Sequence, residues 1–275
     1  MNFNRLKDIR QQLYESLERG ADALFNLADA LLCESQAQSL PELSLSPFFE
    51  RQWPSVYEAL EDGRINVEQI RAIWVNVLVA ERAENEPIWI AVDGSNVARP
   101  SARTSADRTI IHLPNLPLAD KPISVGWTFS TVVVVPEQAS SWTPILDQQR
   151  MSSEQTAIEV AIAQLQALKP LFGTRRVIIL ADRWYGTPES LRACHDLGYS
   201  VLMRLKSNRK LYRIPVRRHK RGAPPKMVRC FRASVPRRMG KLMRCGVGNH
   251  LRVGVSTSAA GTTCTSSRIV SWTSR

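Results

Sequence analysis

Two aspartates stand where this chain could do chemistry. Asp93 follows the apolar run Ile88-Trp89-Ile90-Ala91-Val92, and Asp182 follows Val177-Ile178-Ile179-Leu180-Ala181. Both runs have the length and composition of buried strands. Each carboxylate is therefore expected beyond a strand's carboxyl end, the rim on which open α/β sheets carry their sites. Two carboxylates on that rim supply the hard oxygen ligands that Mg²⁺ prefers, and ions bridged by a carboxylate stabilise both the attacking and the leaving oxygen of an in-line phosphoryl displacement. The competing reading is structural, because Asp after a strand is also a common turn and cap residue. Asp93-Gly94-Ser95-Asn96 has the composition of a turn.

The elements that must position the pair can be read on either side of it. Leu13, Leu17, Leu24, Leu27 and Leu31 recur at helical spacing. Ser55-Val56-Tyr57-Glu58 and Asn66-Val67-Glu68-Gln69 have the capping-box pattern, and the second opens an amphipathic run through Ile70, Ile73, Trp74, Val77 and Leu78. Residues 1–85 thus read as an all-helical module broken by a Pro-rich stretch from Pro41 to Pro54. From Pro87 the period becomes that of strands, with further β-branched segments at 108–113 and 125–135. Ser152 or Ser153 is expected to cap a helix running to about Leu168. Thr187-Pro188 opens a helix with a hydroxyl cap and proline in its first turn. That helix ends near Gly198, before a last strand at Ser200-Val201-Leu202-Met203. The order of three strands, then helix, strand, helix, strand implies a compact α/β sheet whose later strands pair in parallel.

Charge is divided sharply along the chain. Residues 197–275 hold 19 of the 37 Lys and Arg and none of the 25 Asp and Glu, so residues 1–196 carry 18 − 25 = −7 against +19 beyond them, the sum being +12. A pI near 10.0 fits a protein that binds a polyanion. No apolar run is long enough to span a bilayer, and Met1-Asn2-Phe3-Asn4-Arg5 lacks the apolar core of a signal peptide, so a cytoplasmic location with no membrane partner is expected. The five cysteines, Cys33, Cys194, Cys230, Cys245 and Cys264, signal no disulfide framework. Cys230, Cys245, Cys264 and His250 lack the paired spacing of a zinc site.

Ile90-Ala91-Val92-Asp93-Gly94-Ser95 and Leu180-Ala181-Asp182-Arg183-Trp184-Tyr185-Gly186, in this order and at this separation, resemble the first two catalytic motifs of a DDE transposase from a bacterial insertion sequence. Trp142-Thr143-Pro144-Ile145-Leu146-Asp147 and Arg204-Leu205-Lys206-Ser207-Asn208-Arg209 are similar to that group as well, and the resemblance covers roughly residues 5–226. It implies a ribonuclease H-like mixed sheet flanked by helices, with the domain at 86–226. It also implies Asp93 and Asp182 as catalytic ligands of Mg²⁺ or Mn²⁺, and a third carboxylate, a Glu on a later helix. The implied chemistry is metal-dependent cleavage at the element's ends and strand transfer of the freed 3′-hydroxyl, achieved mostly by positioning and charge neutralisation. The implied partners are DNA, as element ends and as target, and the reading allows a homo-oligomer. Arg204, Lys206, Arg209, Lys210, Arg217, Arg218, Lys220 and Arg221 would neutralise phosphates, and Trp184 or Tyr185 could stack on a base. For the two aromatics, packing that holds the turn is the alternative.

The chain departs from that pattern in one decisive respect: no Glu follows Glu189, and Glu189 itself reads as a helix-dipole partner in a first turn. Glu137, Asp147 and Glu154 are the remaining carboxylates that could approach the pair, though nothing in the sequence places them there. Catalysis is therefore expected to be crippled, and a non-catalytic DNA-binding fragment that occupies element ends or inhibits active transposase is the alternative function. Beyond Ala223-Pro224-Pro225-Lys226 the chain loses hydrophobic period. A one-nucleotide frameshift near Lys226 accounts for this, since in the neighbouring frame Met239 to Gly246 can be read as the acidic Asn-Gly-Glu-Ala-Asp-Glu-Val-Trp. Residues 227–275 are accordingly expected to form an out-of-frame tail without a packed core.

Overall fold

The computed structural model describes residues 3–80, 82–113, 123–137 and 142–204, together with the backbone of strands at 210–213, 228–232, 245–246, 252–256 and 269–273. The chain divides into two compact units, Met1–Glu81 and Arg82–Arg275.

The first unit is mostly helical, as the leucine spacing requires: α1 (Phe3–Glu15), α2 (Ala21–Cys33), α3 (Leu40–Leu43), α4 (Pro54–Asp62) and α5 (Val67–Ala80). Two short strands, β1 (Leu17–Arg19) and β2 (Arg64–Ile65), pair antiparallel, a feature absent from the helical reading. Leu27, Ala30, Leu43, Phe49 and Val56 form its core. Arg10 grips Asp29 with two hydrogen bonds of 2.7 and 2.9 Å between α1 and α2. The break between those helices falls at Gly20, whose φ of 70° lies in the left-handed region. Asn66 caps α5 as expected, its side-chain oxygen accepting from Gln69 N at 3.0 Å. Ser55 does not cap α4. That helix begins one residue earlier with Pro54 in its first turn, where a missing N–H costs nothing.

The second unit is a mixed sheet flanked by helices. Its first strand, β3 (Ile88–Ala98), is followed by β4 (Thr109–His112), β5 (Ile123–Val134) and β6 (Ile145–Arg150), then α6 (Ala157–Leu168), β7 (Val177–Ala181), α7 (Pro188–Asp196) and β8 (Ser200–Arg204). Beyond these lie β9 (Lys210–Arg213), β10 (Val228–Arg232), β11 (Cys245–Gly246), β12 (Arg252–Ser256) and β13 (Ile269–Thr273). The main sheet runs β11-β12-β13-β8-β7-β3-β5-β4, with β6 also on β5. β3 pairs antiparallel with β5 and parallel with β7, and β7 continues parallel to β8. Antiparallel strands on one side of β3 and helix-linked parallel strands on the other make this the expected ribonuclease H-like arrangement.

Strand alternation decides which face is covered. Ile88, Ile90, Val92, Val132, Val134, Val177, Ile179, Val201 and Met203 are all buried and occupy equivalent positions on one face. On that face Ser130 Oγ donates to Gln164 Oε1 of α6 at 2.6 Å, and Gln164 Nε2 returns a bond to Ser130 O at 3.2 Å. α6 starts at Thr156, not at Ser152 or Ser153. Thr156 and Glu159 form a reciprocal capping box, whereas Ser152, whose N donates to Gln155 Oε1 at 3.2 Å, is followed by a turn and not by helix. Thr187 caps α7 as expected.

Within 227–275, where the composition predicts a tail without a packed core, the described backbone consists of strands, and β13 pairs antiparallel with β8. Main-chain hydrogen bonds can extend a free strand edge without any hydrophobic period in the added segment.

Candidate active site

Asp93 does not end its strand. β3 continues through the Gly94-Ser95-Asn96 stretch to Ala98, and Asp93 pairs with Thr131 of β5. The turn-like composition is overridden because β5 offers an uninterrupted antiparallel partner there, and tertiary pairing outweighs local preference. Asp182 stands directly after β7, as the sequence predicts.

The parallel register brings the two together. Val92 pairs with Ala181, and Ala181 pairs with Met203. One step further along the three strands come Asp93, Asp182 and Arg204, in adjacent places at strand spacings of about 4.8 Å and on the face opposite Val92, Ala181 and Met203. All three line one cavity of ≈ 350 Å³ whose floor includes Ala91, Leu180 and Leu202. Asp93 Oδ1 accepts from Gly94 N at 2.8 Å and Asp182 Oδ1 from Trp184 N at 2.6 Å, which orients both carboxylates through backbone amides.

Tyr185 serves the site from behind. Only 4% of it is exposed, so its ring offers no face to a base, whereas Trp184 is 64% exposed. A Cβ placed on Gly94 would lie 3.9 Å from the Tyr185 hydroxyl, which locates that hydroxyl behind β3 next to Asp93. Burial above all, then the charges of Asp93 and Asp182, push the phenol up to about 12. Ser130 opposes this rise, yet the Tyr185 hydroxyl completes no hydrogen bond of good geometry among the described residues, although Ser130 Oγ, which donates to Gln164, keeps lone pairs that could accept one.

The other carboxylates are placed elsewhere. Asp147 is 5% exposed and lies opposite Val132, on the covered face of the sheet. Glu137 pairs with Arg82 at 3.6 Å, where Arg82 also reaches Val135 O, near the strand end remote from Asp93. Glu154 is exposed in the turn before α6, and Glu189 occupies the first turn of α7. Among the described residues no group of three His, Cys, Asp or Glu could hold a metal ion. Of the expected phosphate ligands, Arg204 stands beside the pair. Lys206, Arg209, Arg217, Arg218, Lys220 and Arg221 lie outside the described residues, as do the side chains of Lys210, Cys230 and Cys245, and His250 and Cys264 entirely. The sequence reading missed the Tyr185–Ser130–Gln164 group, although the alternation Ser130, Val132, Val134 marks Ser130 as inward-facing.

A family model described as DDE superfamily endonuclease matches residues 12–262. Among solved structures, a piggyBac transposase synaptic complex with hairpin DNA aligns at 12% identity and a TM-score of 0.40, over 92% of this chain and 51% of that one. A Mos1 transposase paired-end complex with left transposon end aligns at 16% identity and a TM-score of 0.25, over 64% of this chain and 57% of that one. The Mos1 strand transfer complex gives 17% identity and a TM-score of 0.23, with 64% and 56% covered. The chain spans about half the length of these structures, and likenesses so distant carry no functional weight. No curated protein matches the sequence. No described helix is long and apolar enough to cross a membrane.

Proposed function

The chain belongs to the DDE superfamily endonucleases, and from that premise we propose that it is a DNA transposase by descent, built for cleavage and strand transfer at insertion-sequence ends. The observation that carries this reading is the placement of Asp93 and Asp182 in neighbouring register positions on β3 and just after β7, lining one cavity with Arg204. Two carboxylates with amide-fixed orientation fit Mg²⁺ or Mn²⁺, which prefer oxygen donors and often take only one or two from protein while water and substrate phosphate supply the rest. When bound there, such an ion would polarise a phosphoryl oxygen and lower the pKa of bound water. The protein's own part is to hold the two carboxylates on a rigid sheet, to offset phosphate charge with Arg204, and to present Trp184 to an unpaired base.

The missing third carboxylate favours a second reading, in which the chain binds DNA ends without cutting them. We place the cause in a frameshift near Lys226, which would replace the glutamate-bearing continuation. A nicking assay on plasmid DNA with Mg²⁺ or Mn²⁺ separates the two functions. Any nicking should disappear in Asp93→Asn and Asp182→Asn, while DNA affinity holds or rises because a negative charge near phosphate is removed. Nicking that survives both substitutions would exclude the aspartate pair as the active site.

A further inference from the structure

β3 and β5 run on together past the carboxylates, as far as the pairing of Ala98 with Gly126, while the parallel strands β7 and β8 stop at Ala181 and Arg204. The result is an arm that rises beside the cavity. From Asp93 to Ala98 it advances about 17 Å at roughly 3.3 Å per residue. It then turns through residues 99–108 into β4.

That turn is fastened at many points. Arg108 donates to Arg99 O at 2.8 Å and to Pro100 O at 3.3 Å. Trp127 Nε1 donates to Ala106 O at 3.3 Å, and Ser153 N to Asp107 Oδ1 at 3.0 Å. Arg99 N bonds to Val125 O at 2.9 Å. Asp107 adopts a left-handed φ of 55°, rare outside glycine. This fastening fixes the backbone of the loop yet leaves the side chains of Arg99 and Arg103 exposed. The one carboxylate in the loop, Asp107, faces Arg150 at 3.9 Å.

We propose that this arm is a second DNA contact, in which Arg99 and Arg103 hold the phosphates of a duplex whose cleavage point lies at the aspartate pair. The proposal rests on the reading of that pair given above. Phosphates of one strand recur every 3.4 Å along a duplex, so an arm tip about 17 Å from Asp93 meets the backbone roughly five base pairs from the cleavage point. Guanidinium groups held on a preordered loop lose less freedom on binding than groups on a mobile one.

The test compares the full chain with the double variant Arg99→Gln/Arg103→Gln in duplex binding between 50 and 200 mM salt. Removing two phosphate contacts should flatten the slope of log K against log salt by about 1.8, so that the affinity ratio across this range shrinks about 12-fold. Arg176→Gln/Arg192→Gln removes the same charge from exposed positions before β7 and on α7, and should leave the slope near that of the parent. Equal flattening by both doubles would reduce the effect to net charge and overturn the proposal. An unchanged slope in the arm variant overturns it as well, and if self-association changes instead, the arm is a contact between copies, with Ile110 at 77% exposure its apolar centre. If the parent chain binds no DNA at low salt, it is the functional reading beneath that fails.

Discussion

At the scale of single residues, the site depends on groups whose roles the local sequence states only in part. Asp93 and Asp182 could be picked out as the ends of apolar runs, whereas for Tyr185, three residues further on, only its burial decides between stacking on a base and packing that holds the turn. Its pKa makes a prediction. The folded state holds the phenol at about 12 against an ordinary value of 10.0, so the associated stability is complete below pH 10 and is lost as pH rises through about 12. A difference of that size corresponds to roughly 2–3 kcal/mol. Tyr185→Phe should therefore weaken the loss of thermal stability measured between pH 10 and 12. Some alkaline sensitivity will persist, because burial also raises Tyr199, which donates to Leu165 O at 2.9 Å, and pushes Cys194 up to about 11. At neutral pH the same substitution should change stability by less than about 1 kcal/mol, since no well-formed hydrogen bond is lost. A loss above about 2 kcal/mol would instead reveal a bond to Ser130.

At the scale of elements, the periodic strands and helices were legible and the irregular pieces were not. Val177–Ala181 matches its apolar run residue for residue, because a strand buried on both faces carries its own signature. β6 was missed, since Ile145-Leu146-Asp147-Gln148-Gln149-Arg150 is half polar and its strand character comes from pairing with β5, including a bulge near Val132. The second half of β3 was misread for the same reason: Gly94, Ser95 and Asn96 prefer turns alone but not beside β5. Two substitutions test these elements. At Gly126 a Cβ would overlap Val97 O and come within 3.0 Å of Ala98 Cα and Ile111 Cδ1. Those first two neighbours are backbone, so Gly126→Ala should cost about 1–3 kcal/mol and strip hydrogen-exchange protection from 94–98 and 126–130, with 177–181 still protected. Protection kept throughout would mean that the arm is not paired as described. Thr156→Ala, which removes the cap of α6, should cost about 1 kcal/mol in denaturant unfolding, and Ser152→Ala nothing comparable.

At the scale of the whole molecule, charge is segregated where packing order is not. The first 196 residues carry −7 and hold the aspartate pair, while the 79 that follow carry +19. Of that positive charge, ten Lys and Arg fall at 197–226 and nine at 227–275, so a chain ended at Lys226 would still carry −7 + 10 = +3. If the DNA surface is the one built around Asp93, Asp182, Arg204 and the β3–β5 arm, this shortened chain should still bind duplex. Its salt slope should stay near that of the full chain, because phosphate contacts and not net charge set the slope and those contacts all lie before Lys226. Complete loss of binding would assign the DNA surface to the tail, and with it the β8–β13 pairing would become a functional extension of the sheet, which an out-of-frame segment has no reason to supply. The nucleotide sequence gives the complementary measurement. Restoring one base near codon 226 should open a long frame containing a glutamate downstream, and a chain built from that frame should nick DNA with Mg²⁺ faster than the present one. A restored frame that closes at once, or that carries no glutamate, would leave the empty third position as a property of this lineage and not of one damaged copy.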